Sequence, residues 1–300
     1  MHRILKSTTL LLAAFACQVP LQAQDYFALD AVNPIAAGGS LWTEELTWIE
    51  VRDAVVAGMT TVIIGTGGVE QNGPFLVTGK HNYVLATVLP YIAEEIGNTL
   101  IAPVVKFVPE GDIDEKSGHM AFPGTISLQQ STFEALLTDI CRSYAAHGFT
   151  DIILVGDSGG NQRGMANVAE SLNESWQNDA ARVHHLAEFY TEDRWSYDFL
   201  KSQGITQVDS TPPDGEPADR RTDRRNNMHD DIYYEAQTAV QNPDFIRASQ
   251  RLDAGLFALH GVDLSPVSRT VELGEELARY RAGITAEAFR NSMRAVRGDN

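Results

Sequence analysis

The chain has 300 residues, of which 43% are apolar, enough to bury the core of one large domain or two small ones. Its 40 acidic residues outnumber the 23 basic ones, which gives a net charge of −17 at pH 7. A surface of this sign repels nucleic-acid phosphates, so we expect no nucleic-acid partner.

The first 24 residues have the layout of a secretory signal peptide. Arg3 and Lys6 precede an apolar run at 10–16, and a small residue lies just before the predicted cleavage point. The run is too short for a permanent membrane anchor. We therefore expect a mature chain, 25–300, in the periplasm or outside the cell. Cys17 offers lipoprotein anchoring as an alternative, but the residues before it match the usual leucine-led box poorly.

Cleavage would leave 21 basic and 40 acidic residues, a net charge of −19, and one cysteine, Cys141. One cysteine allows no disulfide within the chain and excludes a zinc site built from thiolates. No second long apolar run follows, so we expect no stable membrane span.

Helix-like and strand-like segments alternate along the rest of the chain. A capping box of Thr47 with Glu50 predicts a helix that ends at Gly58, and the β-branched run 60–64 predicts a buried strand. Further segments continue the alternation: a helix over 82–97 interrupted at Pro90, a strand over 100–105, a helix opened by Ser131 with Glu134 and closed at His147-Gly148, a strand over 151–156 and a strand over 182–190.

This alternation predicts an α/β fold of three layers, α/β/α, with a mainly parallel sheet. We interpret 25–300 as a single domain with a long polar loop at 209–230 and a C-terminal helical segment at 266–300. The loop is either a solvated connection or a lid or subunit contact, since long loops in compact domains are often functional.

Polar side chains cluster where strands end, which is the edge at which open α/β sheets bind ligands. Taken singly, each cluster has a structural explanation, such as a turn at Asn72-Gly73-Pro74. The run GDSGGN after the third strand resembles a phosphate loop but lacks its lysine. GDSGG also occurs in trypsin-like proteases, whose all-β fold this chain does not predict. The clusters are Glu70, Asn72 and His81; His119; Asp157, Ser158 and Asn161; and His229, Asp230, Asp231 and Glu235.

Together these clusters resemble the creatininase family. The runs GGVEQNGPFLVTGKH, HMAFPGTISL, HGFTDIILVGDSGGN and MHDDIYYEAQTAVQNPDFIR occur in that family's order, over roughly 42–265. The resemblance implies an α/β/α fold that assembles into a homo-oligomer. It also implies hydrolysis of cyclic or linear C–N amide bonds with two divalent metal ions.

The family's metal ligands are changed in this chain. This chain keeps the Glu of the family pattern E-x-H-G as Glu70, but Asn72 replaces the His of that pattern. His81 replaces the bridging Asp, which lies about ten residues further on. The His of the family's N-G-H is Ser158, with Asp157 just before it. Neutral imidazole has one free lone pair and cannot bridge two ions as a carboxylate does, so a binuclear centre is not expected.

A separate histidine of the family moves protons within an H-x-G-x-x-E-T-S segment. We place it at His229, with Tyr234 in the position of the family's Glu and Glu235 beside it. A hydrolase would use Glu70 or Asp157 to orient or deprotonate a water, and His229 to protonate the leaving nitrogen.

Two kinds of site stay open. One holds a single zinc, manganese or iron ion on Glu70 and His81, helped by Asp157 or Asn72, and activates the attacking water. The other is a metal-free polar pocket, so the alternative function is a non-catalytic protein that binds a small ligand. The residues expected to contact the small-molecule substrate are His119, Ser158, Gly159, Gly160, Asn161 and Phe75.

Overall fold

A computed structural model describes residues 27–191, 194–205, 231–259 and 261–297. The chain divides into two units, 1–37 and 38–300. In the first unit, 27–37 forms turns and irregular chain. The second unit contains the sheet and the helices around it. Within the described ranges, no helix is both long enough and apolar enough to cross a membrane.

The sheet has four parallel strands in the order β2-β1-β3-β4. The central strands β1 and β3 are buried along their whole length, as expected for a parallel sheet covered on both faces. The strands are β1 Thr61–Thr66, β2 Thr99–Ile101, β3 Asp151–Gly156 and β4 Arg182–His185; a separate antiparallel pair is β5 Ala258–Leu259 with β6 Val262–Asp263.

Helices cover both faces of the sheet, so the three-layer α/β/α fold predicted from the sequence is confirmed. Ile63 of β1 packs into one core, which includes side chains of the second, seventh and ninth helices. Val62 and Ile64, on the other face, pack with the third and fourth helices. The helices are α1 Trp48–Val56, α2 Lys80–Ile96, α3 Gln130–Ala146, α4 Gly159–Ser175, α5 Glu188–Thr191, α6 Arg194–Ser202, α7 Ile232–Gln241, α8 Ala248–Asp253 and α9 Val267–Arg297.

Most predicted elements are present, and the differences lie at their ends. The capping box of Thr47 and Glu50 forms as predicted. The box predicted at Ser131 does not, because α3 already begins at Gln130. The predicted strands over 100–105 and 182–190 are shorter, the end of the second being part of α5, and α2 continues through Pro90.

The start of α2 matters for the site. The sequence pattern places this helix from residue 82, whereas it begins at Lys80. Lys80 and His81 therefore lie in its first turn and not in the preceding loop, and both are buried.

Candidate active site

Three predicted site residues meet at the carboxyl edge of the sheet. Glu70 comes from the loop after β1, His81 from the first turn of α2, and Asp157 directly follows β3. His81 joins the two acids, because its Nδ1 lies 2.7 Å from Asp157 Oδ2 and its Nε2 lies 2.7 Å from Glu70 Oε1. All three side chains are buried. One imidazole thus bridges two carboxylates through both of its nitrogens.

Two further buried cations contact the same carboxylates. Lys80 Nζ lies 3.5 Å from Glu70 Oε1 and 3.9 Å from the centre of the Tyr234 ring. Arg281 reaches in from α9, and its NH1 nitrogen lies 2.8 Å from Asp157 Oδ1. Each acid is therefore paired with His81 and with a second cation.

Burial and charge set the protonation of this group. Burial and then Lys80 act to lower the pKa of His81, but the charge of Glu70 and the hydrogen bonds to both acids outweigh them, so this pKa is raised. Burial acts to raise the pKa of Asp157, but Arg281 and His81 lower it overall. Burial lowers the pKa of Lys80 in spite of the charge of Glu70. Because a carboxylate oxygen lies 2.7 Å from each ring nitrogen, the geometry also favours the protonated ring, in which both nitrogens donate.

A third carboxyl group, Glu110, extends the cluster from the loop after β2. Its side chain is hydrogen bonded to those of Glu70 and Ser158, and burial, followed by the charge of Glu70, raises its pKa to about 10. Glu110 is thus protonated at neutral pH and donates to Glu70. Gly68 makes room for it, since a Cβ there would lie 2.2 Å from Glu110 Oε1.

His119 is the most exposed of the side chains that pair with Glu70, with 18% of its surface accessible. Its Nε2 lies 3.1 Å from Glu70 Oε2. Its Nδ1 has a longer contact, 3.4 Å, to Gln71 Nε2. This histidine therefore connects the buried cluster with the surface.

The start of α4 lies at the same edge of the sheet. Ser158 is the N-cap residue, but its side chain makes no capping hydrogen bond, and Gly159 and Gly160 are exposed. Glycine is needed at 160, where a Cβ would lie 2.3 Å from the carbonyl oxygen of Pro109. The backbone N–H groups and the positive end of the helix dipole favour a negatively charged oxygen here.

The family model described as creatinine amidohydrolase, Creatininase, matches residues 44–264 of this sequence, well over half of the chain. The chain belongs to the creatininase family. This confirms the resemblance found in the sequence.

Individual relatives are distant. The chain is 26% identical over 168 residues to the creatinine amidohydrolase of Pseudomonas putida and 30% identical over 110 residues to the mycofactocin precursor peptide peptidase of Mycolicibacterium smegmatis. These alignments cover 56% and 35% of this chain, and they span 62% and 42% of the relatives' own lengths.

Two solved creatininase structures show the shared fold. A creatininase mutant superposes with a TM-score of 0.58 at 20% identity, covering 84% of this chain and 98% of its own. Another mutant, described as Zn–Zn type, has a TM-score of 0.54 at 20% identity over 86% and 98%.

The donor set of this creatininase-family chain does not fit a divalent ion. A metal-binding imidazole needs a free lone pair, whereas each nitrogen of His81 already has a carboxylate oxygen 2.7 Å away. Lys80 and Arg281 already lie on the carboxylates that an ion would need. In the described ranges, no group of three or more His, Cys, Asp or Glu side chains is arranged to hold a metal. The zinc, manganese or iron ion predicted for this site therefore plays no part in the function proposed below.

Three further predicted site residues have structural contacts of their own. Asn161 is fully buried, and its Nδ2 donates to Thr66 and to the carbonyl of Gly67, so its amide nitrogen holds the loop after β1; that it binds substrate stays a prediction. The Nδ2 group of Asn72, which was predicted as a metal ligand, donates to the carbonyl oxygens of Glu70 and Val77 and holds the loop. The third residue, Phe75, packs against Arg251, whose guanidinium carbon lies 4.6 Å from the centre of the Phe75 ring. Arg251 also pairs with Glu235.

The predicted proton carrier His229 lies outside the described residues. The family spacing H-x-G-x-x-E-T also fits a second segment, His185 to Thr191, with Ala187 and Tyr190 in the Gly and Glu positions. His185 ends β4 at the same edge of the sheet, and its Nε2 lies 3.1 Å from Gln162 Oε1.

Proposed function

We propose that this chain hydrolyses a C–N amide bond in a small cyclic or linear amide. Both curated relatives are named for reactions that break such bonds. The observation that carries the proposal is the pairing of the partly exposed His119 with buried Glu70, Nε2 to Oε2, at 3.1 Å. A carboxylate at this distance stabilises the imidazolium that forms when the ring takes a proton.

We expect such a site to work by general acid–base catalysis. His119 Nδ1 accepts a proton from a water, whose oxygen attacks the amide carbonyl carbon. The N–H groups at Gly159 and Gly160 stabilise the negative charge on the carbonyl oxygen. When the C–N bond breaks, its electron pair stays on nitrogen, and His119 returns the proton there. Glu70 positions His119 and carries no proton in this sequence of steps.

We expect His119→Ala to reduce kcat about 10²- to 10⁴-fold, because it removes the group that moves the proton. The assay is release of amine or ammonia from a panel of lactams, linear amides and short peptides. His147→Ala is the matched control, since this exposed histidine lies at the C-terminal end of α3, in the C-cap position. Turnover that is equal in the two variants would remove His119 from the reaction.

A second candidate is a small-ligand-binding relative without catalysis. It is favoured by the closed pairing within the cluster, where cations of the chain already neutralise Glu70 and Asp157. Calorimetric binding of a panel compound, with no turnover of any compound, would support this candidate over the hydrolase.

Export and assembly stay proposals of the same kind. The signal-peptide pattern at 1–24 lies outside the described residues. Homo-oligomer formation follows from the family resemblance alone.

A further inference from the structure

Three cations are enclosed together at the carboxyl edge of the sheet. The side chains of Lys80, His81 and Arg281 are 0%, 2% and 4% exposed. Long charged side chains are seldom buried this deeply unless they are paired. Each of these three lies within 3.5 Å of a buried carboxylate oxygen.

The two carboxylates lie at or next to positions that hold metal ligands in the family pattern. Glu70 keeps the family's acidic position, and Asp157 immediately precedes the position of the family's N-G-H histidine. A pair of dications could neutralise such acids. Here the neutralising charges come instead from α2, through Lys80 and His81, and from α9, through Arg281. A dication placed among these cations would be repelled by all three.

We infer that Lys80, His81 and Arg281 replace the charge of metal ions in this chain, so that the site is assembled and stabilised without a metal. The inference concerns the site of the proposed function but does not depend on turnover. It is tested by thermal stability and by the mass of the metal-incubated protein.

Lys80 offers the sharpest test, because its removal leaves both space and an uncompensated charge at Glu70. We expect Lys80→Ala to lower Tm by about 5 °C or more. We also expect added Mn²⁺ or Zn²⁺ to recover part of that loss, because a divalent ion can take the place of the ammonium. NaCl at matched ionic strength should not recover it. The wild-type Tm should not rise with either metal.

Two control variants accompany this measurement. Lys106→Ala removes an exposed lysine, so neither its Tm nor its metal response should differ from those of the wild type. Lys80→Arg keeps the positive charge and should show no recovery with metal.

Three outcomes would overturn the inference. One is a Tm of Lys80→Ala equal to that of Lys106→Ala. Another is a Lys80→Ala variant that no divalent ion stabilises. The third is a stoichiometric metal adduct, removed by EDTA, in native mass spectrometry of the wild type after incubation with excess Mn²⁺ or Zn²⁺. This measurement does not require any variant to fold. Absence of turnover on every amide would contradict the proposed hydrolase and leave this inference standing.

Discussion

Replacing Arg281 by methionine is expected to lower the free energy of unfolding by about 3–5 kcal/mol, because it leaves a buried carboxylate without its partner. The Arg281 NH1 nitrogen lies 2.8 Å from Asp157 Oδ1, and both side chains are almost fully buried. Its Nε and NH2 nitrogens donate to the carbonyl oxygen of Phe189 at 3.1 and 2.8 Å. Methionine fills much of the same volume but supplies none of these donors.

The guanidinium also ties three parts of the fold together. It extends from α9, pairs with the residue after β3, and lies 3.6 Å from the centre of the Phe189 ring. A cation over an aromatic face contributes further when the pair is desolvated. We therefore expect the loss to loosen α9 at the site as well as to lower global stability.

Urea denaturation of Arg281→Met measures this effect, and Arg290→Met is the matched control on the same helix. Arg290 is 47% exposed and pairs with Glu287, so its loss should cost at most about 1 kcal/mol. Equal midpoints for the two variants would show that the Arg281–Asp157 pair does not stabilise the fold.

The second large effect is expected for His81→Ala, which removes the imidazolium between Glu70 and Asp157. Each acid loses a hydrogen bond of 2.7 Å, and the variant leaves a void in a buried region. Loss of one member of a buried charge network costs about 3–5 kcal/mol. Lys80 and Arg281 still neutralise part of the negative charge of Glu70 and Asp157, so the variant should fold at neutral pH.

This cost should depend on pH. The pKa of His81 is raised in the folded protein, so its stabilising contribution is fully present below the unfolded pKa of 6.5. The contribution is lost as the pH rises through the folded pKa. The difference in unfolding free energy between wild type and His81→Ala should therefore be largest near pH 6 and decline above that. A difference that grows with pH would show that His81 is neutral in the native site.

The sequence predicted the scaffold well because its signals are local. The β-branched run before Thr66 and the capping box at Thr47 each specify an element within a few residues. The edge rule for parallel sheets then brings Glu70 and Asp157 together, although they are far apart in the chain.

The sequence did not predict what neutralises those acids. The predicted helix begins at residue 82 and leaves Lys80 outside it, because the start of α2 has no side-chain cap to mark it. Glu110 follows β2, where the same edge rule would have found it. Arg281 had one available signal: it is a charged residue at the spacing of Leu277 and Thr285 on the buried face of α9.

The structural role of Asn161 could not be predicted from the sequence either. It follows a glycine turn at the sheet edge, as ligand-binding residues do, but its amide ties α4 to the end of β1. A sequence pattern places a side chain at an edge without telling which way it points. Only the packing of Thr66 against this helix decides that.

We infer that the chain's own cations, and no metal ion, neutralise Glu70 and Asp157. The most direct measurement is the metal content of full-length protein purified without chelator, by inductively coupled plasma mass spectrometry. We expect far less than one equivalent of zinc, manganese or iron per chain, unchanged in His81→Ala. One equivalent or more in the wild type, lost in His81→Ala, would contradict it.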